Sequence, residues 1–343
     1  MRLATRFLAA LVLLWCGLFA VRAGAQDRLI FALDIIRHGD RTPTSEFPGV
    51  NPKVWPEGLG ELTPEGTNQE YELGRTMRSF YQKTGLLESD NTPETICAIS
   101  TDLNRTKASG RLFLNGLLGT ASAKIPLRTQ FSGTVSAADL LIPTDRHDYK
   151  TLLTNYVYQT PEWLATNAAL QPRFAEWGRL SSRPIASAHD LIYAGDTFYI
   201  HQLHHIDALG GLGSNAVQSV IDAGRWALVY QYQTRLGQIT GQPLIRKIAE
   251  YLTIASEDAG KPDAVKYVLI SAHDSTLMSA LAGLRAPLAG TNSPPYAAWL
   301  HFGLFQTPQR SFYLQIIYHD QTEHQVCDPD GNKSWSVRDL IGL

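Results

Sequence analysis

An apolar run, Leu29–Ile36, ends directly at the segment Arg37–Pro43, which reads RHGDRTP. The run is rich in Ile and Leu and is too short for a typical helix, so it predicts a buried strand. The Gly-Asp and Thr-Pro pairs that follow are typical of a turn. In α/β proteins, ligands bind where such strands end at the sheet edge. This junction therefore predicts a ligand site built on one histidine between two arginines.

Two further apolar runs, Thr95–Ser100 and Val265–Ile270, also end in polar segments that lead into helical patterns. A third helical pattern, Pro64–Lys83, follows the first strand and has Thr63 as its predicted N-cap. Strands that alternate with helices predict parallel pairing. We therefore expect an α/β fold, with a central, mostly parallel sheet flanked by helices.

The segment 132–224 has a different character, because it is rich in aromatic residues and histidine and is interrupted by prolines. We interpret it as a mostly helical cap inserted into an α/β core formed by 26–131 and 225–343. Helical spacing returns from Arg225 to Leu252. Phe302–Leu304 and Phe312–Tyr318 predict a hairpin at the sheet edge.

Residues 1–25 predict a secretory signal peptide, with two early arginines, an apolar stretch and a small-x-small cleavage site. The apolar stretch is shorter than the about 20 residues of a membrane span. We expect cleavage before Gln26, export to the periplasm or the medium, and no membrane association afterwards.

Composition narrows the class of partner. The chain has 343 residues, a formal net charge of −2 and no basic run of the kind that binds nucleic acid. A small molecule is the better candidate. Only Cys97 and Cys327 follow the signal peptide, and the sequence leaves open whether they form a disulfide.

The ends of the three predicted strands carry ionisable side chains. Carboxyl ends of parallel strands share one edge of a sheet, so these side chains should converge on one anion. They are Arg37, His38, Arg41, Arg105, His273 and Asp274.

These residue types suit phosphoryl transfer. Arg37 and Arg41 offer forked donors to phosphate oxygens, and the imidazole of His38 can attack phosphorus. We expect Asp274 to be held protonated, to donate a proton to the leaving group and then to activate water. No metal and no other cofactor is predicted, because arginines supply the charge that Mg²⁺ supplies elsewhere.

The chain resembles the histidine acid phosphatases, branch 2 of the histidine phosphatase superfamily, and most of all the prostatic and lysosomal acid phosphatases. The matching segments are Arg37–Pro43, Trp55–Thr63, Tyr71–Gly74, Ser100–Asp102, Arg105–Thr106, Ser271–Thr276 and Pro294–Ala297. The resemblance implies that His38 is the phosphorylated nucleophile and Asp274 the proton donor. It also implies that the phosphate of small monoesters is bound by Arg37, Arg41, Arg105 and His273, and that a homodimer is plausible.

Two other functions are considered. The first is a phytase or sugar-phosphate phosphatase of the same superfamily, although Asp40 and Thr276 follow the acid phosphatase pattern. The second is a metallohydrolase, suggested by His201, His204 and His205, of which helical spacing would place His201 and His205 on one face.

The tetrapeptide Ser-Ala-His-Asp occurs twice, at Ser187–Asp190 and at Ser271–Asp274. Only the second copy follows an apolar strand. The first follows Pro184, which has no amide to donate to a central strand. We therefore predict that the second copy is catalytic and that the first belongs to the cap.

Overall fold

The computed structural model describes residues 26–87, 93–131, 136–207, 209–286, 293–320 and 322–343. The predicted signal peptide, 1–25, lies outside these residues. Within the described part of the chain, no helix has both the length and the apolar character needed to span a membrane.

The strands of the described residues form one seven-stranded sheet. They are β1 (Arg28–Arg37), β2 (Ile96–Ser100), β3 (Leu127–Arg128), β4 (Tyr267–Ala272), β5 (Trp299–Gln306), β6 (Phe312–His319) and β7 (Glu323–Val326). Their order is β3-β2-β4-β1-β5-β6-β7. Strands β3, β2, β4 and β1 are parallel to one another. Strands β5, β6 and β7 continue the sheet beyond β1, and each is antiparallel to its neighbours. The predicted α/β fold with a mostly parallel central sheet is confirmed.

The helices of the described residues pack around this sheet. They are α1 (Pro64–Lys83), α2 (Asn104–Leu118), α3 (Ala137–Leu141), α4 (Tyr149–Tyr156), α5 (Pro161–Leu170), α6 (Phe174–Ser181), α7 (Leu191–Leu203), α8 (Asn215–Gln233), α9 (Arg235–Glu257), α10 (Asp274–Gly283) and α11 (Val337–Ile341). Helix α1 has the predicted bounds, because the Thr63 hydroxyl accepts from the Gly66 amide at 3.1 Å and closes its first turn.

The continuous helical pattern from Arg225 to Leu252 proved to be two helices, α8 and α9. Thr234 interrupts it with an extended backbone, and its hydroxyl caps α9 by accepting from the Leu236 amide at 3.2 Å. Helix α8 starts at Asn215 and runs across position 224. The predicted end of the cap, at 224, thus falls inside a helix. The division into core and cap stays a prediction.

The predicted hairpin is confirmed as β5 and β6, but its predicted place at the sheet edge is wrong, because β5 pairs with β1 and β7 pairs with the outer side of β6. Strands β3 and β7 were not predicted, for two reasons. Strand β3 has two residues, too few to show alternation, and β7 is polar and mostly exposed.

The central strand β1 is buried on both faces of the sheet. Leu33 and Ile35 pack on the side of α9 and α10, whereas Ala32 and Ile36 pack on the side of α1 and α2. Such burial explains the unbroken apolar run that predicted the strand. Arg37, the last residue of β1, lies opposite Ala272 of β4, so both strands bring the residues after them to one edge of the sheet.

Candidate active site

His38 follows β1 directly and its side chain is buried. Its Nδ1 lies 2.8 Å from the Gly39 carbonyl oxygen. A carbonyl only accepts, so Nδ1 must carry the hydrogen and the lone pair must be on Nε2. Among the described residues, Nε2 has no hydrogen-bond partner. The imidazole is therefore oriented, with a free nucleophilic nitrogen.

The turn after His38 lies against the start of α1. A Cβ on Gly39 would lie 2.4 Å from the Gly66 carbonyl oxygen, so only glycine fits there. The Gly39 amide donates to Ser109 Oγ at 3.2 Å, and the Asp40 amide to Gln69 Oε1 at 2.8 Å. Helices α1 and α2 thus fix the backbone that carries the histidine.

Two predicted arginines border His38, and each is paired with a carboxylate. Arg37 forms an ion pair of 2.9 Å with Asp274. Arg41 donates to both carboxylate oxygens of Asp196, at 3.0 and 3.3 Å. Asp196 lies on α7, so a helix of the predicted cap holds an arginine of the site.

Arg105 lies in the first turn of α2 and is half-buried. Among the described residues it forms no ion pair, and its Nε is buried without a hydrogen-bond partner. Burial, and then the charge of Arg41, lower the pKa of Arg105 to about 10. The guanidinium remains charged at neutral pH, and no described carboxylate forms an ion pair with it, although the charges of Asp274 and Asp196 act on it from a distance.

The surroundings keep His38 neutral. Burial lowers its pKa well below the usual value, and the positive charges of Arg37, Arg41 and Arg105 lower it further. A neutral imidazole is the form that can attack phosphorus.

His273 follows β4, and its ring centroid lies 5.6 Å from that of His38. Its Nε2 lies 3.0 Å from the Thr101 hydroxyl, which follows β2. Burial and the charge of Arg105 lower the pKa of His273 to about 3. The second histidine is therefore also neutral, and strands β1, β2 and β4 all contribute to this site.

Asp274 is the first residue of α10, and its Oδ1 accepts from the Ser275 amide at 2.7 Å. Burial, the largest single influence, would raise its pKa, but the charges of Arg37 and Arg41 and the Ser275 hydrogen bond together outweigh burial, so the pKa of Asp274 is lowered. The sequence predicts a protonated Asp274. In the ligand-free site the adjacent arginine favours the carboxylate, so the protonated form stays a prediction for the site with phosphate bound.

The structure adds two side chains whose position in the site was not predicted, Asp196 and Tyr296. The Tyr296 ring lies 4.3 Å below the Arg37 guanidinium carbon and 5.8 Å from the His38 ring. Its hydroxyl is buried without a hydrogen-bond partner among the described residues. Tyr296 lies in a matching segment, but nothing in the sequence marks Asp196.

A cavity of about 370 Å³ opens above the paired Arg37 and Asp274. Its walls come largely from α7 and α8, which contribute Ile192, Ile221 and Leu228. The lining of the cavity is therefore partly charged and partly apolar.

The histidines that suggested a metallohydrolase bind different partners. His201 Nε2 lies 2.9 Å from Glu46, whereas His204 Nε2 lies 2.8 Å from Asp40 without hydrogen-bond geometry. His201 and His205 do not share a helical face, because α7 ends at Leu203. No three His, Cys, Asp or Glu side chains are grouped as metal ligands in the described ranges.

Cys97 and Cys327 are both unpaired. Cys97 lies on β2, partly buried, and Cys327 is exposed beyond β7.

Known proteins with related sequences are phosphatases. The family model described as histidine phosphatase superfamily (branch 2) matches residues 28–170 and 157–319. Testicular acid phosphatase of Homo sapiens is 30% identical over 85% of this chain and 71% of its own length. Prostatic acid phosphatase of Homo sapiens is 24% identical over 89% of this chain and 81% of its own length.

Solved structures share the fold. The phytase of Hafnia alvei in complex with myo-inositol hexakis sulphate superposes with a TM-score of 0.67 at 18% identity, covering 93% of this chain and 98% of that chain. The predicted resemblance is confirmed by the family match and by the curated relatives. The chain therefore belongs to branch 2 of the histidine phosphatase superfamily, a family of phosphoric ester hydrolases.

Proposed function

We propose that the protein is an acid phosphatase that hydrolyses small phosphate monoesters through a phosphohistidine on His38. The observation that carries this proposal is the state of the His38 imidazole. It is neutral, it donates from Nδ1 to a backbone carbonyl, and its Nε2 is free beside three arginines. This is the arrangement that in-line attack on a bound phosphoryl group requires.

The phosphate site is formed by Arg37, Arg41, Arg105 and His273. Arg105 has no carboxylate partner among the described residues, whereas Arg37 and Arg41 keep donors beyond those used in their ion pairs. A phosphoryl group gains charge-assisted hydrogen bonds from these side chains. As charge develops on its equatorial oxygens during transfer, those hydrogen bonds become stronger and lower the barrier.

Asp274 supplies the proton for the leaving group. In the free enzyme it is a carboxylate paired with Arg37. A phosphate dianion that takes over Arg37 removes this stabilisation and adds negative charge nearby, which raises the pKa of Asp274. It can then protonate the leaving oxygen, and as a carboxylate it activates the water that hydrolyses the phosphohistidine.

The cavity favours small monoesters over inositol hexakisphosphate, the substrate class of the phytase alternative. Apart from Arg37, its charged lining consists of Arg225 and three acids, Asp196, Asp274 and Asp320. Six phosphate groups would meet too few cations there. The names of the sequence relatives, which are acid phosphatases, agree with this choice.

The signal-peptide pattern of residues 1–25 supports export. We accordingly include a periplasmic or secreted location in the proposal.

The test is hydrolysis of p-nitrophenyl phosphate by purified protein dialysed against EDTA, with glucose 1-phosphate and inositol hexakisphosphate as alternative substrates. We expect metal-free activity on p-nitrophenyl phosphate, inhibition by vanadate and no turnover by His38→Ala. Activity that returns only with added zinc or magnesium would favour the metallohydrolase. A marked preference for inositol hexakisphosphate would favour the phytase.

A further inference from the structure

One cation in the cavity wall forms no ion pair with any residue in the described part of the chain. Arg225 lies on α8, is half-buried, and lines the same cavity as Arg37 and Asp274. Among the described residues, no carboxylate lies within ion-pair distance of its guanidinium. The charge rests instead against the Tyr199 ring of α7, 5.3 Å from the ring centroid. A half-buried arginine without an anion is poised to bind one.

The acidic residues nearby are already engaged by other groups. Asp196 accepts two hydrogen bonds from Arg41. Asp320 accepts from the Thr322 amide at 3.1 Å and lies 3.2 Å from His324 Nε2. Asp222, one turn before Arg225 on α8, accepts from Gln218 at 2.8 Å. Arg225 is therefore left for a group that enters the cavity.

The position of Arg225 is fixed by helix packing. A Cβ on the preceding residue, Gly224, would lie 2.3 Å from the Leu191 carbonyl oxygen, so α8 touches the backbone of α7 at this point. The apolar side chains of Ile192, Ile221 and Leu228 line the same cavity as Arg225. Of the two arginines among the described lining residues, Arg37 is paired with Asp274, so a leaving group meets an apolar surface and the unpaired guanidinium of Arg225.

We propose that Arg225 is a specificity-determining residue that binds a second anionic group on the leaving group of the substrate. Resting on the proposed phosphatase function, this narrows the substrates to monoesters with a ring-sized, partly apolar body and one further carboxylate or phosphate. Arg225 lies in the cavity wall and is assigned no part in the attack on phosphorus.

The experiment compares 4-carboxyphenyl phosphate with 4-carbamoylphenyl phosphate, which have similar shapes and differ in one negative charge. We expect the wild type to prefer 4-carboxyphenyl phosphate. In Arg225→Gln, kcat/KM for this substrate should fall about 10-fold, mainly because KM rises. The amide substrate should be unaffected, and added salt should weaken the wild-type preference. Arg235→Gln is the matched control, since Arg235 also lies over a tyrosine ring, Tyr156, but is exposed outside the cavity.

Equal losses on both substrates, or no wild-type preference for the carboxylate, would overturn the role of Arg225 and leave the phosphatase function intact. Absence of hydrolysis of the amide substrate by the wild type would instead overturn the proposed function itself.

Discussion

The two Ser-Ala-His-Asp segments have the same side chains and very different surroundings. In the first copy, Ala188–Asp190 forms a short 3-10 turn before α7 with Ser187 as its N-cap, and Asp190 accepts from the amides of Ala186 and Ser187, both at 2.9 Å. Ser271–Asp274 connects β4 to α10, and Asp274 pairs with Arg37. The first carboxylate caps its own turn, whereas the second faces an arginine of a neighbouring strand.

The histidines differ in the same way. His189 is half-buried, and its ring packs against Tyr158 with 5.9 Å between centroids. His273 is 6% exposed, bonded to Thr101 and next to His38. The preceding strand, and not the tetrapeptide itself, therefore places the second copy at the site, because β4 ends at the sheet edge where the arginines lie.

The largest expected difference concerns the two aspartates. Asp274→Asn should slow hydrolysis of alkyl phosphates by ~10²–10⁴-fold, the usual contribution of general acid catalysis. Asp190→Asn should keep activity near that of the wild type. Steady-state rates on an alkyl phosphate and on p-nitrophenyl phosphate measure this, since nitrophenolate hardly needs a proton and should be affected less. A dead Asp190 variant beside an active Asp274 variant would mean that the first copy is catalytic.

The second-largest difference in activity is expected between variants of the two histidines, His273 and His189. His273→Ala removes a side chain of the proposed phosphate site and should lower kcat/KM by about 10²–10³-fold. His189→Ala should lose little, with any loss in KM for bulky substrates. Phosphate inhibition constants provide an independent readout, because only the His273 variant should bind inorganic phosphate more weakly. Similar constants for both variants would contradict the assignment.

The two histidines should also contribute differently to the pH dependence of the unfolding free energy. Because the pKa of His273 falls to about 3 on folding, from 6.5 when unfolded, the unfolded chain takes up the proton first. The stabilisation is fully present above pH 6.5 and is lost as the pH falls toward 3. His273→Gln should therefore remove about 1.4 kcal/mol per pH unit from the slope in this window.

Urea unfolding at several pH values between 7 and 4, in phosphate-free buffer, measures that slope. His189→Gln should flatten it less, since His189 is only half-buried. A slope unchanged by His273→Gln would show that the second histidine is not held neutral.

The smallest expected effect is a loss of stability when Asp190, in the first Ser-Ala-His-Asp segment, is replaced. Asp190→Ala removes the acceptor of two amide hydrogen bonds and should cost about 1 kcal/mol of unfolding free energy, as for loss of a helix cap. Thermal unfolding should detect it while kcat is maintained. A loss of kcat without a loss of stability would assign Asp190 a functional role.

Much of the fold and of the site could be predicted because both depend on local patterns. Strands β1, β2 and β4 are short apolar runs, and parallel pairing implies that Arg37, His38 and His273 meet at one edge. The break at Thr234 could not be predicted, because helical spacing continues on both sides of it.

Contacts from the predicted cap escaped prediction for another reason. Asp196 reaches Arg41 across 155 positions of sequence, and only the packing of α7 over the sheet edge brings them together. The ionisation of Asp274 likewise depends on its distance to Arg37, which no spacing in the sequence encodes.

The central claim, that His38 takes the phosphoryl group, is tested most directly by trapping the intermediate. Enzyme mixed with ³²P-labelled p-nitrophenyl phosphate is quenched in base, digested and mapped, with His38→Ala as the control. We expect an acid-labile, base-stable label on the peptide that contains His38, and no label in the variant. A label on a serine or aspartate, or an unchanged label in His38→Ala, would contradict it.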